Sequence, residues 1–561
     1  MSSSLDLLSR LAVLHGTDKF GYHDYTPNYF DVLQHLSEAP IRLLEIGVGG
    51  YGDADRGGES LAVWRDFFPN AEIVIGIDIQ KKTLDLGPRV KILQGSQVDE
   101  AFLEELCETH GPFDVIIDDG SHRNEHVVES FHLLYPKLAD GGIYIAEDVQ
   151  TAFHPRFGGS LELTPPNSVG FFSDLMLDVM KGACDWPIDR IDRFHNIFVA
   201  HKTRPEGETA GQVVPSVWED RRLRDALLRQ GAKIGLADGA EVPSNVLADL
   251  AAADIKPNKL TVKPKSKSSR QDVVIAGSRD GKSGAAVTNL WDSVTEGGFL
   301  VVAAEGLEPS LEKFLKRLFV QIDHTEINVH FPDAEILPEA PKTYSAHALR
   351  DGIILWLGEN TYPSNFQWTI EHPRAAAAVA HMESLLEEPN ASETGLLQVA
   401  DILYRHRSPE AALPFLERLK AEGCRMRRYF QMMGQHYQAK GVAEQALLNF
   451  EAALEAFPND PQFAANLGNS YIRAGRVPDA EALFRTVLAA NERARGPMVQ
   501  LSKLLERRGE FEEALDLAER SINLFPRHQR AQRLEDLAKL AEKAGEPDRA
   551  AAALERVQDL E

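Results

Sequence analysis

The sequence predicts a doubly wound α/β fold at the N-terminus, a second α/β segment behind it, and an all-α repeat solenoid at the C-terminus. Three observations predict this. Apolar runs alternate with amphipathic stretches over residues 1–202, parts of that pattern return over 215–358, and a period of 34 residues governs 395–561. At 561 residues the chain is too long for one core, so several domains are expected on length alone.

In the first segment IRLLEIGV (41–48), AEIVIGIDI (71–79), FDVIIDDG (113–120) and GGIYIAED (141–148) are the clearest strands. Each is a nearly continuous apolar run ending in glycine or acidic residues, as a strand buried on both faces reads. SLAVWRDFF and HVVESFHLLYPKL carry helical apolar spacing. Such alternation implies a parallel sheet whose ligand crevice lies at the C-terminal ends of the strands.

A loop rich in Pro, Gly and Glu (TRPEGETAGQ) leads into the second segment. DVVIAGSRDG (272–281) parallels DVIIDDGSHR (114–123), and EGGFLVVAAEG (296–306) parallels DGGIYIAEDVQ (140–150). GAKIGLADG (231–239) is a fainter echo of RLLEIGVGG. The acids are missing: Ala276 and Gly277 stand where Asp118 and Asp119 stood, and Ala303 and Ala304 replace Glu147 and Asp148. The expectation is a degenerate Rossmann-like unit without a metal site over 215–358. The alternative is a chance likeness between two α/β segments.

Residues 359–394, with the Ala-rich HPRAAAAVAHMESLLEEP, read as a linking helix. Beyond it Gly434 and Gly468, Tyr437 and Tyr471, Ala446 and Ala480, and Phe450 and Phe484 each recur after 34 residues, as do Gly441, Gly475 and Gly509. Small residues at fixed positions let paired helices approach closely, and periodic aromatics fill the seam. The pattern resembles tetratricopeptide repeats, in four or five units.

A formal net charge of −25 argues against a general nucleic-acid or anionic-membrane binder, because both polyanions would be repelled. Cys107, Cys184 and Cys424 form no metal spacing and suit a reducing compartment. MSSSLDLLSRLAVLHG lacks the plan of a secretory signal, and no run is long enough to cross a membrane. A cytoplasmic protein with no membrane span is expected.

The chemistry gathers at strand ends. LEIGVGG (44–50) closes the first strand with glycines that admit positive φ and close approach of a ligand. Asp78, ending the next strand, can accept hydrogen bonds from both hydroxyls of a ribose. The ExGxGG ending and the longer loop after it favour S-adenosylmethionine over a dinucleotide, with Glu45 at the methionine end, Gly47 and Gly49 at the turn and Asp78 at the ribose. Gln97 and Asp99 in GSQVD sit where an adenine edge would be read. Asp118 is placed with the cofactor set. Asp118, Asp119 and His122 follow one strand, and Glu147 and Asp148 the next. Carboxylates crowded on one rim repel unless a cation neutralises them. Oxygen ligands select a hard ion, Mg²⁺ first and Mn²⁺ as the alternative. His122 is the candidate general base for an alcohol acidified by that metal. His126 could share a helix face with it as a zinc pair, the less favoured reading beside so many carboxylates.

GTDK (16–19), YTPNY (25–29), LLEIGVGG, GGESLAVWRDFFPNAEIVIGIDI, FDVIIDDGSH, and GGIYIAEDVQT followed by FGG (157–159) together resemble the metal-dependent macrolide sugar O-methyltransferases. They are similar, more widely, to the rhamnosyl O-methyltransferase and cephalosporin hydroxylase family. The resemblance covers nearly all of 15–202. It implies a Rossmann-like class I methyltransferase fold, Mg²⁺ on Asp119, Glu147 and Asp148, and His122 as the catalytic histidine. It also implies an acceptor whose vicinal sugar hydroxyls are held by the metal. The function expected is O-methylation of a sugar hydroxyl of a glycan or glycosylated metabolite, with loops GTDKFGYHDY and TAFHPRFGGS closing over the acceptor and Tyr25 and Phe153 as stacking surfaces. The repeats would recruit a protein partner or self-associate. Two alternatives stay open: a non-catalytic scaffold, and a hydroxylase-like member of the family.

Overall fold

A computed structural model describes residues 5–20, 23–204, 216–237, 240–260, 270–277, 284–303, 308–323, 327, 342–358, 375–525 and 527–558. The chain forms two compact units, Met1–Ser384 and Leu385–Glu561. Among the described residues no helix is long and apolar enough to cross a membrane.

The first unit is built on one sheet. Strands β1 (Arg42–Ile46), β2 (Ile73–Asp78), β3 (Val90–Gln94), β4 (Phe113–Asp118) and β5 (Leu138–Ala146) run parallel in the order β3-β2-β1-β4-β5. β7 (Ile197–Lys202) joins β5 antiparallel, and β6 (Ile188–Phe194) joins β7. The apolar runs follow from burial on both faces. Leu44, Ile75 and Ile116 point into one core with Phe131 and Phe172, while Leu43, Val74 and Val115 point into the other with Trp64 and Phe67. Among the described residues six α-helices belong to this half: α1 (Leu7–His15), α2 (Thr26–Leu33), α3 (Glu59–Phe67), α4 (Glu100–His110), α5 (Asn124–Leu134) and α6 (Ser168–Lys181). Asp99 caps α4 by accepting the Phe102 N–H, and Asn167 caps α6 by accepting that of Gly170, the hydrogen bonding a helix start requires.

The second segment repeats this plan. Its helices are α7 (Arg221–Leu228), α8 (Ser244–Ala252), α9 (Gly284–Trp291) and α10 (Pro309–Gln321). Its strands are β8 (Ile234–Leu236), β9 (Asn258–Lys259), β10 (Gln271–Ala276), β11 (Val294–Ala303), β12 (Thr343–Leu349) and β13 (Gly352–Leu357), ordered β9-β8-β10-β11-β13-β12. That is the order β2-β1-β4-β5-β7-β6 again, with the same senses: β8, β9, β10 and β11 parallel, β13 and β12 antiparallel.

Read from sequence as separate domains, the two segments share one 13-stranded sheet. β6 pairs antiparallel with β12, Ile191 opposite Ala348, Asp192 opposite His347 and Arg193 opposite Ala346. Asp192 and His347 are each the fifth residue of a seven-residue strand, so an edge strand pairs with its own counterpart about a local two-fold axis. An open β6 edge would leave unpaired backbone groups; the internal copy covers it. The tips of the echoed motifs (278–281 and 304–306, with Ala304), the loop 205–214 and residues 359–374 of the expected linker lie outside the described residues. Residues Ala375–Ser384 form α11, in the first unit.

The second unit is a row of antiparallel helix pairs. First helices begin at Glu393, Arg427, Pro461 and Arg495, and second helices at Pro409, Ala443, Val477 and Phe511, 34 residues apart each time. A last pair, Arg527–Ala544 and Pro547–Gln558, departs from that spacing. A Cβ on Gly434 would lie 2.4 Å from the Phe450 ring, and one on Gly468 2.1 Å from the Phe484 ring. One period further on, Ser502 and Ala518 occupy these positions, and one period earlier Ala400 and Leu416. Bulk on one helix is matched by its lack on the other, as close packing demands.

Candidate functional site

Gly47 follows the β1 strand at φ +95°, where a Cβ would sit 2.1 Å from the Asp119 carbonyl oxygen. Only glycine lets the turns after β1 and β4 abut there; the Asp119 N–H in turn donates to the Ile46 carbonyl at 3.0 Å. Gly49 follows at φ +77°. Asp78, half-buried at the end of β2, accepts the Val48 N–H (3.1 Å) and the Gln80 N–H (2.7 Å). Its carboxylate is thereby fixed beside the glycine turn.

β4 and β5 are neighbours, with Asp118 opposite Ala146. The acids that follow them therefore meet on one rim. Asp119, His122 and Asp148 bring ligand atoms within 4.8 Å of one another, and His122 Nε2 lies 3.7 Å from Asp148 Oδ2. Both His122 (φ +56°) and Asp148 (φ +52°) are left-handed non-glycine residues, a conformation costing ~1 kcal/mol or more each that persists where surroundings over-determine it.

Glu147, expected as a metal ligand, is held by protein partners: its carboxylate accepts from Lys19 Nζ at 2.7 and 2.6 Å and from the Tyr29 hydroxyl, and the same Lys19 Nζ bridges it to Asp119. Lys19, in the turn after α1, is 2% exposed, lies 2.8 Å from Asp119 Oδ2 and stands 3.7 Å from Glu45 Oε1. Burial alone would discharge it, but Asp119, Glu147 and Glu45 outweigh burial and raise it well above the ordinary lysine value. Burial pushes the Glu45 carboxyl up to about 7 against the pull of Lys19; Glu45 is wholly buried and accepts from Ser60 Oγ at 2.8 Å. Burial also opposes ionisation of Asp148, yet His23, His122, the Tyr25 hydroxyl and Lys19 overcome it and bring that carboxyl down to about 2.

Two of the expected cofactor residues are bonded to each other. Asp118 and Gln97 hold each other: Gln97 Nε2 donates to Asp118 Oδ1 (3.1 Å) and to Ser130 Oγ (2.9 Å), and Gln97 Oε1 accepts the Ser121 N–H (2.8 Å). Tyr144 donates to the other oxygen of Asp118 at 3.2 Å. Their polar atoms are committed to stapling the β3 and β4 loops, with Asp118 pushed up to about 6 by burial. The two rings expected as stacking surfaces are buried. Tyr25 and Phe153 are 2% and 1% exposed, and Tyr25 donates to Asp148 Oδ1 at 2.5 Å. His126 engages Ser121 Oγ at 2.8 Å and is not in the His122 cluster. Lys19, Tyr25 and Tyr29 lie in the quoted motifs GTDK and YTPNY, but nothing local in the sequence tells that their side chains converge on the acids.

Residues 438–499 match the family model described as Tetratricopeptide repeat. Over 169 residues the chain is 41% identical to the 8-demethyl-8-alpha-L-rhamnosyl tetracenomycin-C 2'-O-methyltransferase of Streptomyces olivaceus, a match covering 30% of this chain and 44% of that protein. Over 156 residues it is 44% identical to the Mycinamicin VI 2''-O-methyltransferase of Micromonospora griseorubida, covering 28% of this chain and 39% of that one. Among solved structures, the MycE methyltransferase from the mycinamycin biosynthetic pathway, in complex with Mg, SAH and Mycinamycin VI, is 37% identical, with 38% of this chain and 58% of that chain covered and a TM-score of 0.34. The chain spans less than half the length of these curated relatives. Part of the chain is thus similar to macrolide and sugar O-methyltransferases, and its C-terminal part carries tetratricopeptide repeats.

Proposed function

We propose that residues 1–202 form a domain that transfers the methyl group of S-adenosylmethionine to a sugar hydroxyl of a glycan or glycosylated metabolite, with Mg²⁺, or Mn²⁺ in its place, at the carboxylate site. The observation that carries this reading is the convergence of Asp119, His122 and Asp148 within 4.8 Å, beside the turn where Gly47 and Asp78 meet. Bound there, the cofactor supplies an electrophilic methyl and the ion acidifies adjacent hydroxyls. The carboxylates of Asp119 and Asp148 suit a hard divalent ion, and 37–44% identity to named O-methyltransferases supports the cofactor.

Asp78 accepts the ribose hydroxyls, while Gly47 and Gly49 let the backbone come close. Asp119 and Asp148 hold the ion, and Glu147 joins them to the extent that Lys19 releases it. His122, on a left-handed turn that aims its ring at Asp148, takes the acceptor proton at Nε2. Tyr25 and Tyr29 fix the carboxylates, so that their positions cost no reorganisation when the acceptor arrives. Asp118 and Gln97 stiffen the loop that carries Asp119. The domain works in the cytoplasm, and the repeats recruit a protein partner or a second copy, a reading supported by their tetratricopeptide match.

A binding-only reading is favoured by one observation, the grip of Lys19 on Asp119 and Glu147. Labelled methyl transfer to a panel of α-L-rhamnosides separates the two. Transfer that needs Mg²⁺, stops with EDTA and is lost in His122→Ala supports the enzyme. Failure of every glycoside to accept label, with cofactor bound, favours the scaffold.

A further inference from the structure

The carboxylate rim is tied at two places to the segment that lost its own acids. The first tie is the β6–β7 turn. Asn196, wholly buried at φ +57°, accepts the N–H of Val149, the residue after Glu147 and Asp148, on its carbonyl at 3.2 Å. Its own N–H donates to Asp323 Oδ1 at 2.9 Å, two residues beyond α10. Asp323 is wholly buried and ion-paired with the equally buried Arg193, whose guanidinium lies 4.5 Å from the centre of the Phe198 ring.

The second tie is α2. Asp31 on that helix receives Arg221 at 2.5 Å and also Arg222, both from α7. Arg222 is itself packed 5.3 Å from the Phe194 ring and 4.8 Å from that of Trp356. Tyr25 stands at the N-cap of α2 and Tyr29 lies on the helix, and their hydroxyls are the two bonded to Asp148 and Glu147.

We infer that the second α/β segment is a positioning scaffold for the carboxylate site, with Asp323 and Arg222 as positioning residues that act through Asn196 and Asp31. The inference rests on the reading of that site as a cation site. Asp148 is held in a left-handed conformation that its surroundings must impose. The groups that impose it are the Asn196 carbonyl behind Val149 and the Tyr25 hydroxyl in front, and both are anchored from the second segment. Outer partners of this kind change metal affinity about 10–100-fold in metal sites generally. The local two-fold axis places them: pairing β6 with β12 sets α10 and α7 against the turn and the helix that flank the acids.

The test uses the full chain, with Mn²⁺ binding read by electron paramagnetic resonance and S-adenosylmethionine binding read by calorimetry. Asp323→Asn, which keeps the shape of the side chain, is expected to weaken Mn²⁺ binding about tenfold while cofactor affinity stays within about twofold. Asp31→Asn, at a half-exposed position, is expected to weaken Mn²⁺ less and leave the melting temperature near that of the parent. Amide exchange over 147–151 should rise in Asp323→Asn. Unchanged Mn²⁺ affinity in both variants overturns the inference, as does parallel loss of metal and cofactor binding, which marks a merely structural role. If the parent chain binds no Mn²⁺, the proposed function falls, and unchanged exchange over 147–151 then overturns the tie itself.

Discussion

Asp192 and His347 face each other across the middle of the 13-stranded sheet, with His347 Nδ1 2.7 Å from Asp192 Oδ1. Each is the fifth residue of an edge strand that the chain contains twice, so the pair marks the local axis relating the two α/β segments. Arg190 Nε (2.6 Å) and His201 Nε2 (2.8 Å) complete the shell around the same carboxylate.

Acid should loosen this seam first. Burial pushes Asp192 up, but Arg190, His347 and His201 outweigh it and hold the carboxyl well below its usual value. A group whose folded value is depressed stabilises the fold above its unfolded value, near 4, and that contribution is lost as pH falls below it. The melting temperature of the first unit should drop as pH falls below about 4. Asp192→Asn should cost about 3–5 kcal/mol at neutral pH, because it removes the charged partner of Arg190 from a buried cluster, and should flatten the acid limb of the profile. An acid limb unchanged by the substitution would remove Asp192 as its source.

Lys19 stands among three carboxylates that its charge makes tolerable. Lys19→Met should destabilise the first unit by about 3–5 kcal/mol, the usual consequence of removing one partner from a buried cluster. Added Mg²⁺ should then raise the melting temperature of the variant more than that of the parent, since the ion can supply the missing charge. Equal Mg²⁺ shifts in both proteins would separate Lys19 from the cation site.

Gly47→Ala places a methyl 2.1 Å from the Asp119 carbonyl oxygen at φ +95°. The strain, about 1–3 kcal/mol, should appear as about tenfold or greater loss of S-adenosylmethionine affinity, because relief moves the turns after β1 and β4 apart. Calorimetry checks it, and full affinity in the variant would show that this junction does not shape the cleft.

In the repeats, Gly468→Ala drives a methyl to 2.1 Å from the Phe484 ring, and overpacking of that kind costs about 1–3 kcal/mol. Adding Phe484→Leu recreates the Ala400 and Leu416 pairing found two periods earlier and should recover part of the loss. Urea unfolding followed by circular dichroism reads the coupling; strictly additive losses would contradict the proposed fit.

Much of the architecture is legible in the sequence because it rests on local rules. LLEIG, IVIGID and DVIID read as strands because both faces of the sheet are covered, and the acids of DDGSH and AED meet because neighbouring parallel strands end on the same rim. The repeats are legible because Gly434 with Phe450 and Gly468 with Phe484 carry one packing solution forward. What escapes is long-range. Lys19 reaches Glu147 across 128 residues, with no local mark of that meeting. IDRIDRF carries charges that suit an exposed edge, yet Asp192 and Arg193 are wholly or almost wholly buried; their partners His347 and Asp323 come from the second segment. Gln97 and Asp118 look like cofactor ligands by position, and the sequence carries no mark of the hydrogen bond between them.

The central claim is that Asp119 and Asp148 make a divalent-cation site beside a cofactor cleft. Calorimetric titration of S-adenosylmethionine into the full chain, with and without Mg²⁺ and in parallel with Asp119→Ala, tests it most directly. The account predicts cofactor binding in the parent and a Mg²⁺ heat that the substitution abolishes. Absence of cofactor binding in either condition, or a Mg²⁺ heat indifferent to Asp119, would contradict it.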